Sequence, residues 1–169
     1  MPKPVVLVPV ETSEQIADVV ALAHEIWREY YLPLIGLAQV DYMLAKFQSQ
    51  AAIAAQLDAG YEYYIVSSSE HGTNCGYTAV QAQDEGLLFI SKLYVQSAVR
   101  GAGFGRACMT IIEQLARARG LSRLWLTVNK GNAAVQVYER LGFHKASELV
   151  VDIGAGFVMD DFRMEKALL

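Results

Sequence analysis

The residues best placed for chemistry lie at Arg100-Gly101-Ala102-Gly103-Phe104-Gly105-Arg106. Glycines let a main chain approach a ligand closely, and the first N–H groups of a helix lack partners and sit at the positive end of its dipole. An apolar run from Leu87 to Val95 leads into this loop and a helical pattern leads out. Strand, glycine loop and helix start in that order present backbone donors to an anion, so a phosphate-bearing ligand is the first expectation. A nucleotide-binding protein is the competing reading. Against it, the loop lacks the Gly-Lys-Ser/Thr ending of a P-loop, and no acidic residue follows a Rossmann-type strand at the required distance. His24, His71 and His144 are scattered without metal-ligand spacing, as are Cys75 and Cys108, so no metal is expected.

The elements that must position the loop are legible from periodicity. With 169 residues, 53% of them hydrophobic, one domain over 1–169 with a sizeable core is expected. No apolar run approaches the roughly 20 residues of a membrane helix, and no signal-peptide layout is seen. The chain reads as soluble and cytoplasmic, with no membrane partner. A net charge of −4 without a basic patch argues against nucleic acid.

Val5 to Val10 reads as a first strand. Thr12 and Gln15 form a capping box before a helical stripe of Ile16, Val19, Val20, Ala23, Trp27 and Tyr30, and Pro33 stops that helix near Tyr31. A second helix is expected from about Asp41 to Asp58. Strands follow at Tyr61 to Ser68 and Cys75 to Gln83, joined by turn chemistry at Glu70-His71-Gly72-Thr73-Asn74. Asp84-Glu85-Gly86 turns the chain into Leu87 to Val95. A helix from the glycine loop to about Arg119, a strand at Ser122 to Val128, a short helix at Asn132 to Leu141 and a strand pair at 143–153 and 157–166 complete the order. Hairpins flanking a β-α-β centre give an α+β fold: a mixed, mainly antiparallel, twisted sheet of six to seven strands flanked by four helices.

Two segments in this order resemble the GNAT superfamily of acyl-CoA-dependent N-acyltransferases. Arg100 to Gly105 fits its Gln/Arg-x-x-Gly-x-Gly/Ala signature, preceded by the strand Lys92-Leu93-Tyr94-Val95. Leu126 to Phe143, with Asn132, Tyr138 and Gly142-Phe143, resembles its strand-Asn-helix-Tyr-x-x-x-Gly-Phe segment. The resemblance implies a GNAT-like fold, acetyl-CoA as co-substrate and an amine acceptor. It implies that the strand holding Leu93, Tyr94 and Val95 splays from its neighbour and pairs with the pantetheine arm. It implies that Arg100, Gly101, Ala102, Gly103, Phe104, Gly105 and Arg106 hold the pyrophosphate, that Asn132 contacts the cofactor, and that Tyr138 sits near the sulfur.

The chemistry so implied is direct attack of an amine on a thioester, helped by proximity, a backbone N–H at the oxyanion, and Tyr138 protonating the leaving thiolate. By resemblance, Glu85 near the start of the central strand is the candidate base; Ser91 and Asn129 could instead position a water. Trp27, Tyr30, Tyr31, Leu34 and Phe47 form an aromatic-rich cluster where the family places the acceptor. Asp160 and Asp161 are adjacent in the last strand, so one of them faces inward and could hold a cationic substrate. The alternative is a catalytically silent acyl-CoA-binding module. The apolar fraction and paired terminal strands permit a homodimer.

Overall fold

The structure, a computed structural model, describes residues 5–68 and 74–168. The turn expected around His71 lies, apart from Asn74, outside the described residues. The strands are β1 (Val5–Pro9), β2 (Glu62–Ser68), β3 (Asn74–Gln83), β4 (Leu87–Val95), β5 (Arg123–Asn129), β6 (His144–Gly154) and β7 (Phe157–Ala167). They form a seven-stranded sheet in the order β1-β2-β3-β4-β5-β7-β6. Every adjacent pair is antiparallel except β4 with β5. A parallel pair needs a crossover, and helix α5 (Phe104–Ala118) supplies it.

Helix α1 (Ser13–Tyr30) starts where the capping box placed it: the Gln15 N–H donates to Thr12 Oγ1 at 3.2 Å and the Thr12 N–H to Gln15 Oε1 at 2.9 Å. Its buried stripe, including Val19, Ala23, Ile26 and Trp27, packs with Tyr63, Ile65, Tyr77 and Ala79 of β2 and β3. On the opposite face, Met109, Ile112 and Ala116 of α5 pack on Leu88, Ile90, Leu124 and Leu126 of the parallel centre, joined by Val135 of α6 (Ala134–Arg140). Each helical layer thus covers one face of the sheet, and the strands at its centre are buried on both.

The helix expected over Asp41 to Asp58 is instead two, α3 (Leu37–Phe47) and α4 (Gln50–Asp58), and a single turn, α2 (Leu32–Ile35), precedes them. The break has a local cause. Ser49 leaves the helical region to cap α4, its Oγ accepting the Ala52 N–H at 3.1 Å, while buried Gln48 turns to accept from the Tyr77 hydroxyl at 3.0 Å. Pro33, which ends α1, also opens α2, where a missing N–H costs nothing. The expected four helices are therefore six among the described residues.

Candidate active site

The parallel pair at the centre is incomplete. β4 and β5 pair only at Leu87↔Arg123, Leu88↔Leu124 and Phe89↔Trp125. On its other side β4 pairs with β3 at Val80↔Ile90 and then Ala79↔Lys92, so Ser91 is a bulge residue with no partner opposite. A bulge bends its strand and increases the twist. Beyond it β5 continues with β7 as far as Asn129↔Asp161, while β4 follows β3. The two strands part, and the β5-facing edge of β4 is left with backbone groups that a ligand can pair.

A cavity of about 530 Å³ fills the gap, lined by β4 from Ile90 to Val95, by Leu126 to Asn129 of β5, and by the glycine loop. Gly103 ends the loop with φ 87°, a left-handed conformation that a residue with a Cβ adopts only under strain, and α5 starts after it with no side-chain cap. Among the described residues, the N–H groups of Gly101, Gly103, Phe104, Gly105 and Arg106 have no acceptor in the chain. All five residues line the cavity; Ala102 does not, packing instead on the cluster around Phe104. Arg100 is held in place by its Nε donating to Val95 O at 3.2 Å and by its guanidinium lying 4.7 Å above the Tyr30 ring. Its Nη2 is buried and without a partner. A bare helix start and a buried, unpaired guanidinium nitrogen beside it suit a diphosphate.

Tyr138 lines the same cavity from α6. The Tyr-x-x-x-Gly-Phe pattern explains how it is fixed. Gly142, at φ 98°, closes α6: its N–H reaches Glu139 O at 3.1 Å and the Phe143 N–H reaches Tyr138 O at 3.0 Å, while the Phe143 ring packs edge-on against Tyr138 at 5.7 Å. This is a Schellman ending with its hydrophobic contact, and it clamps the tyrosine ring. Burial, with a smaller contribution from Tyr30, pushes the Tyr138 hydroxyl up to about 12, so it stays protonated at neutral pH and can give a proton away.

Buried Asn132 also lines the cavity, but much of its amide is used within the protein. Its Oδ1 accepts from the Tyr30 hydroxyl and from the Ala134 N–H at 2.8 Å, and its Nδ2 donates to the Tyr31 hydroxyl at 3.3 Å. It ties α1 to the start of α6, with one Nδ2 hydrogen left for a ligand. The sequence carried no sign of this link, whose partners are 102 residues apart.

The candidate carboxylates take separate places. Glu85 is exposed in the turn before β4, at φ 62°, and is not part of the cavity wall. The strand from Leu87 to Ser91 alone spans four residue steps, about 13 Å, and Glu85 lies before it in the turn, so the structure does not bring it to Tyr138. Of the adjacent pair in β7, Asp160 faces out and meets Lys130 Nζ at 2.8 Å, whereas Asp161 is 5% exposed and lines the cavity. Burial above all, with Asp160 adding and Lys130 opposing, raises its carboxyl to about 6. In the expected aromatic cluster, Trp27, Tyr30 and Tyr31 line the cavity, joined by Tyr94; Phe47 packs against the core beneath α1, and Leu34 is exposed. Trp27 sits 4.4 Å from Tyr31 and 5.5 Å from Tyr94 between ring centres.

A family model described as Acetyltransferase (GNAT) family matches residues 20–143. Over 81 residues, 47% of the chain, it is 42% identical to a streptothricin acetyltransferase of Streptomyces lavendulae; over 68 residues, 40% of the chain, it is 44% identical to a mycothiol acetyltransferase of Streptomyces avermitilis. The matched stretches span 43% and 22% of those relatives' own lengths, well short of two thirds. The fold superposes on the PaiA N-acetyltransferase of Thermoplasma acidophilum, solved with coenzyme A, with a TM-score of 0.77 at 16% identity, covering 97% of this chain and 99% of that one. The family model matches most of the chain, loop and Tyr138 segment included: the chain belongs to the GNAT family of acetyltransferases.

Proposed function

We propose that this protein transfers an acetyl group from acetyl-CoA to a primary amine of a small molecule or protein, by direct attack within a ternary complex. The carrying observation is the gap between β4 and β5, which opens at Ser91 and runs into the unpaired N–H groups of the glycine loop. Family membership supports the same reading, as does the coenzyme A bound by a protein of the same fold.

In this reading residues 1–169 act as one catalytic unit in the cytoplasm. The free edge of β4 at Leu93, Tyr94 and Val95 aligns the pantetheine arm, and a backbone N–H there stabilises the oxyanion. The pyrophosphate is held by the loop N–H groups of residues 101–106 and by Arg100, with Ala102 shaping the loop. Asn132 keeps Tyr30 and α6 in register and offers its remaining N–H. Tyr138 gives its proton to the departing thiolate.

The test is to follow the thermal midpoint with acetyl-CoA, ATP and NAD, then thiol release over a panel of amines. Stabilisation by acetyl-CoA above the nucleotides, with thiol release on at least one amine, is expected. Binding of a nucleotide but not acetyl-CoA would overturn the reading, and acetyl-CoA binding with no release on any amine would leave a silent module.

The cradle has its own check. A Cβ on Gly105 meets no atom within 4 Å, and its φ is not in the left-handed region. Gly105→Leu is therefore expected to keep or slightly raise stability, since leucine outranks glycine in a helix by up to about 1 kcal/mol. The added side chain enters the space for the pyrophosphate, so the CoA Kd is expected to rise at least about tenfold, or roughly 1.4 kcal/mol. Wild-type affinity in that variant would move the anion site elsewhere.

A further inference from the structure

Asp161 and the Arg100 Nη2 at the glycine loop are the buried polar side-chain groups of the cavity wall left without a partner among the described residues, whereas the other buried polar side chains near it are satisfied. Lys92 is also buried, but its Nζ donates to Phe47 O at 3.2 Å, to Gln56 Oε1 at 2.8 Å and to the Tyr63 hydroxyl. Gln48 accepts from Tyr77, and Asn132 holds Tyr30 and Tyr31. Asp161 is 5% exposed as a residue, its carboxylate has no hydrogen-bond partner among the described residues, and its oxygens stay open to the cavity. A largely buried carboxylate without a donor is costly and calls for an explanation, a catalytic role or a bound cation among them.

Its surroundings say what kind of ligand. Met159, two residues earlier on the same strand face, lines the cavity with it, as do Ile35 of α2 and Gln39 and Met43 of α3, on the α1 side of the sheet. Trp27, Tyr31 and Tyr94 form the aromatic wall beyond. The cavity's arginines are Arg100 and Arg106 of the glycine loop and Arg140 of α6, so no arginine comes from the β7 side. The charged groups acting on Asp161 are Asp160 on its own strand and Lys130 at the end of β5, which is itself shared with Glu148 of β6 and Asp160. Burial above all holds the Tyr94 hydroxyl protonated, with Tyr77, Tyr138 and, least, Asp161 adding to it. Asp161, Tyr94 and Tyr138 line one cavity. A cation is needed there, and aromatic faces with thioethers favour an alkylammonium and its methylene stem over a strongly hydrated polar group.

Resting on the acetyl-transfer reading above, we propose that Asp161 receives the ammonium of a primary alkylamine acceptor and takes its proton, making Asp161 the catalytic base and the determinant of substrate class. The steps balance. The acceptor R–NH3+ gives one proton to the Asp161 carboxylate, which returns it to solvent. The neutral amine forms the N–C bond at the thioester carbonyl, and the C–S bond breaks as the carbonyl is restored. The second proton lost from nitrogen ends on sulfur, with the Tyr138 hydroxyl as donor to the thiolate. The products are R–NH–acetyl, CoA–SH and one proton. A carboxyl that titrates near 6 is matched to this task at neutral pH.

The experiment compares wild type, Asp161→Asn and Asp161→Glu in two ways. Binding to the CoA-saturated protein is read with n-hexylammonium and with n-hexanol as its uncharged counterpart. Turnover is read from pH 5.5 to 9 with alkylamines and with aniline, which is neutral throughout most of that range. Wild type should bind the ammonium over the alcohol, and Asp161→Asn should lose at least about tenfold of that affinity. With alkylamines, turnover in Asp161→Asn should fall about a hundredfold at pH 7 and recover roughly tenfold per pH unit as solvent deprotonates the amine. Aniline turnover should change less than about threefold, and Asp161→Glu should restore part of the alkylamine rate. The Asn variant is not expected to fold poorly: it removes a carboxylate whose pKa burial has raised, so at pH 7 it should melt no lower than wild type and near pH 4 the two should coincide. Equal ammonium affinity in wild type and Asp161→Asn, or equal losses on aniline and alkylamines, would overturn the proposal. Failure of wild type to bind acetyl-CoA would instead remove the reading on which it rests, and the proposal with it.

Discussion

Gly76→Ala is expected to destabilise the protein by about 3 kcal/mol, the upper part of the range for forcing atoms into a packed interior. Gly76 lies in β3 opposite Val95, where β4 ends and the glycine loop begins. A Cβ there would overlap the Tyr94 carbonyl oxygen and come within 3.0 Å of Val95 Cα and Cγ1. The obstacles are mainly backbone, so no rotamer change relieves them. The strands must move apart where the Gln96 N–H closes on Cys75 O at 2.8 Å. That movement would carry Tyr94, Val95 and the Arg100 anchor on Val95 O with it, so acetyl-CoA affinity should fall alongside stability. Chemical denaturation with and without CoA measures both. Gly105→Ala is the control, since the same added methyl there meets open space and should cost nothing. Equal stabilities for the two variants would mean that β3 and β4 are less tightly joined than described.

Tyr138→Phe is expected to lower kcat by about a hundredfold, the lower end for loss of a positioned general acid. The ring should stay where it is, because the Schellman ending of α6 and the Phe143 contact do not involve the hydroxyl. CoA affinity should therefore be nearly unchanged, and the loss should appear in kcat. The sign of the pH dependence follows from the raised pKa. A phenol held up to about 12 is protonated throughout pH 6 to 9, so the loss should be constant over that range and wild type should show no basic limb from this group. Turnover within about twofold of wild type at every pH would take the acid role away from Tyr138.

Tyr138 and the glycine loop mark what a sequence shows readily, and other parts of the site what it hides. The glycine loop and the Tyr-x-x-x-Gly-Phe ending are local devices. Each is completed by neighbours in the chain, at Gly103 before α5 and at Gly142 and Phe143 after α6, so both were legible with the elements around them. The break at Gln48 and Ser49 was not, because the apolar stripe continues through it and the buried Tyr77 that draws Gln48 aside comes from another strand. The bulge at Ser91 leaves no mark in composition, yet it decides where β4 leaves β5. The carboxylates show the same limit. Alternation told that one of Asp160 and Asp161 faces inward, but the choice needed the register with Asn129 on β5. Glu85 sits near the start of the correct strand in sequence, and only the length of that strand in space separates it from the site.

Backbone hydrogen exchange with and without coenzyme A is the most direct test of the cofactor path. Slowed exchange is expected at Leu93 to Val95 and at the amides of Gly101, Gly103, Phe104, Gly105 and Arg106, because these groups lack partners among the described residues or lie on the free edge of β4. The already paired amides of β1, β2 and β6 should change little. Protection concentrated elsewhere, or no protection across the β4 edge and the glycine loop at saturating coenzyme A, would mean that the gap between β4 and β5 is not where the cofactor binds.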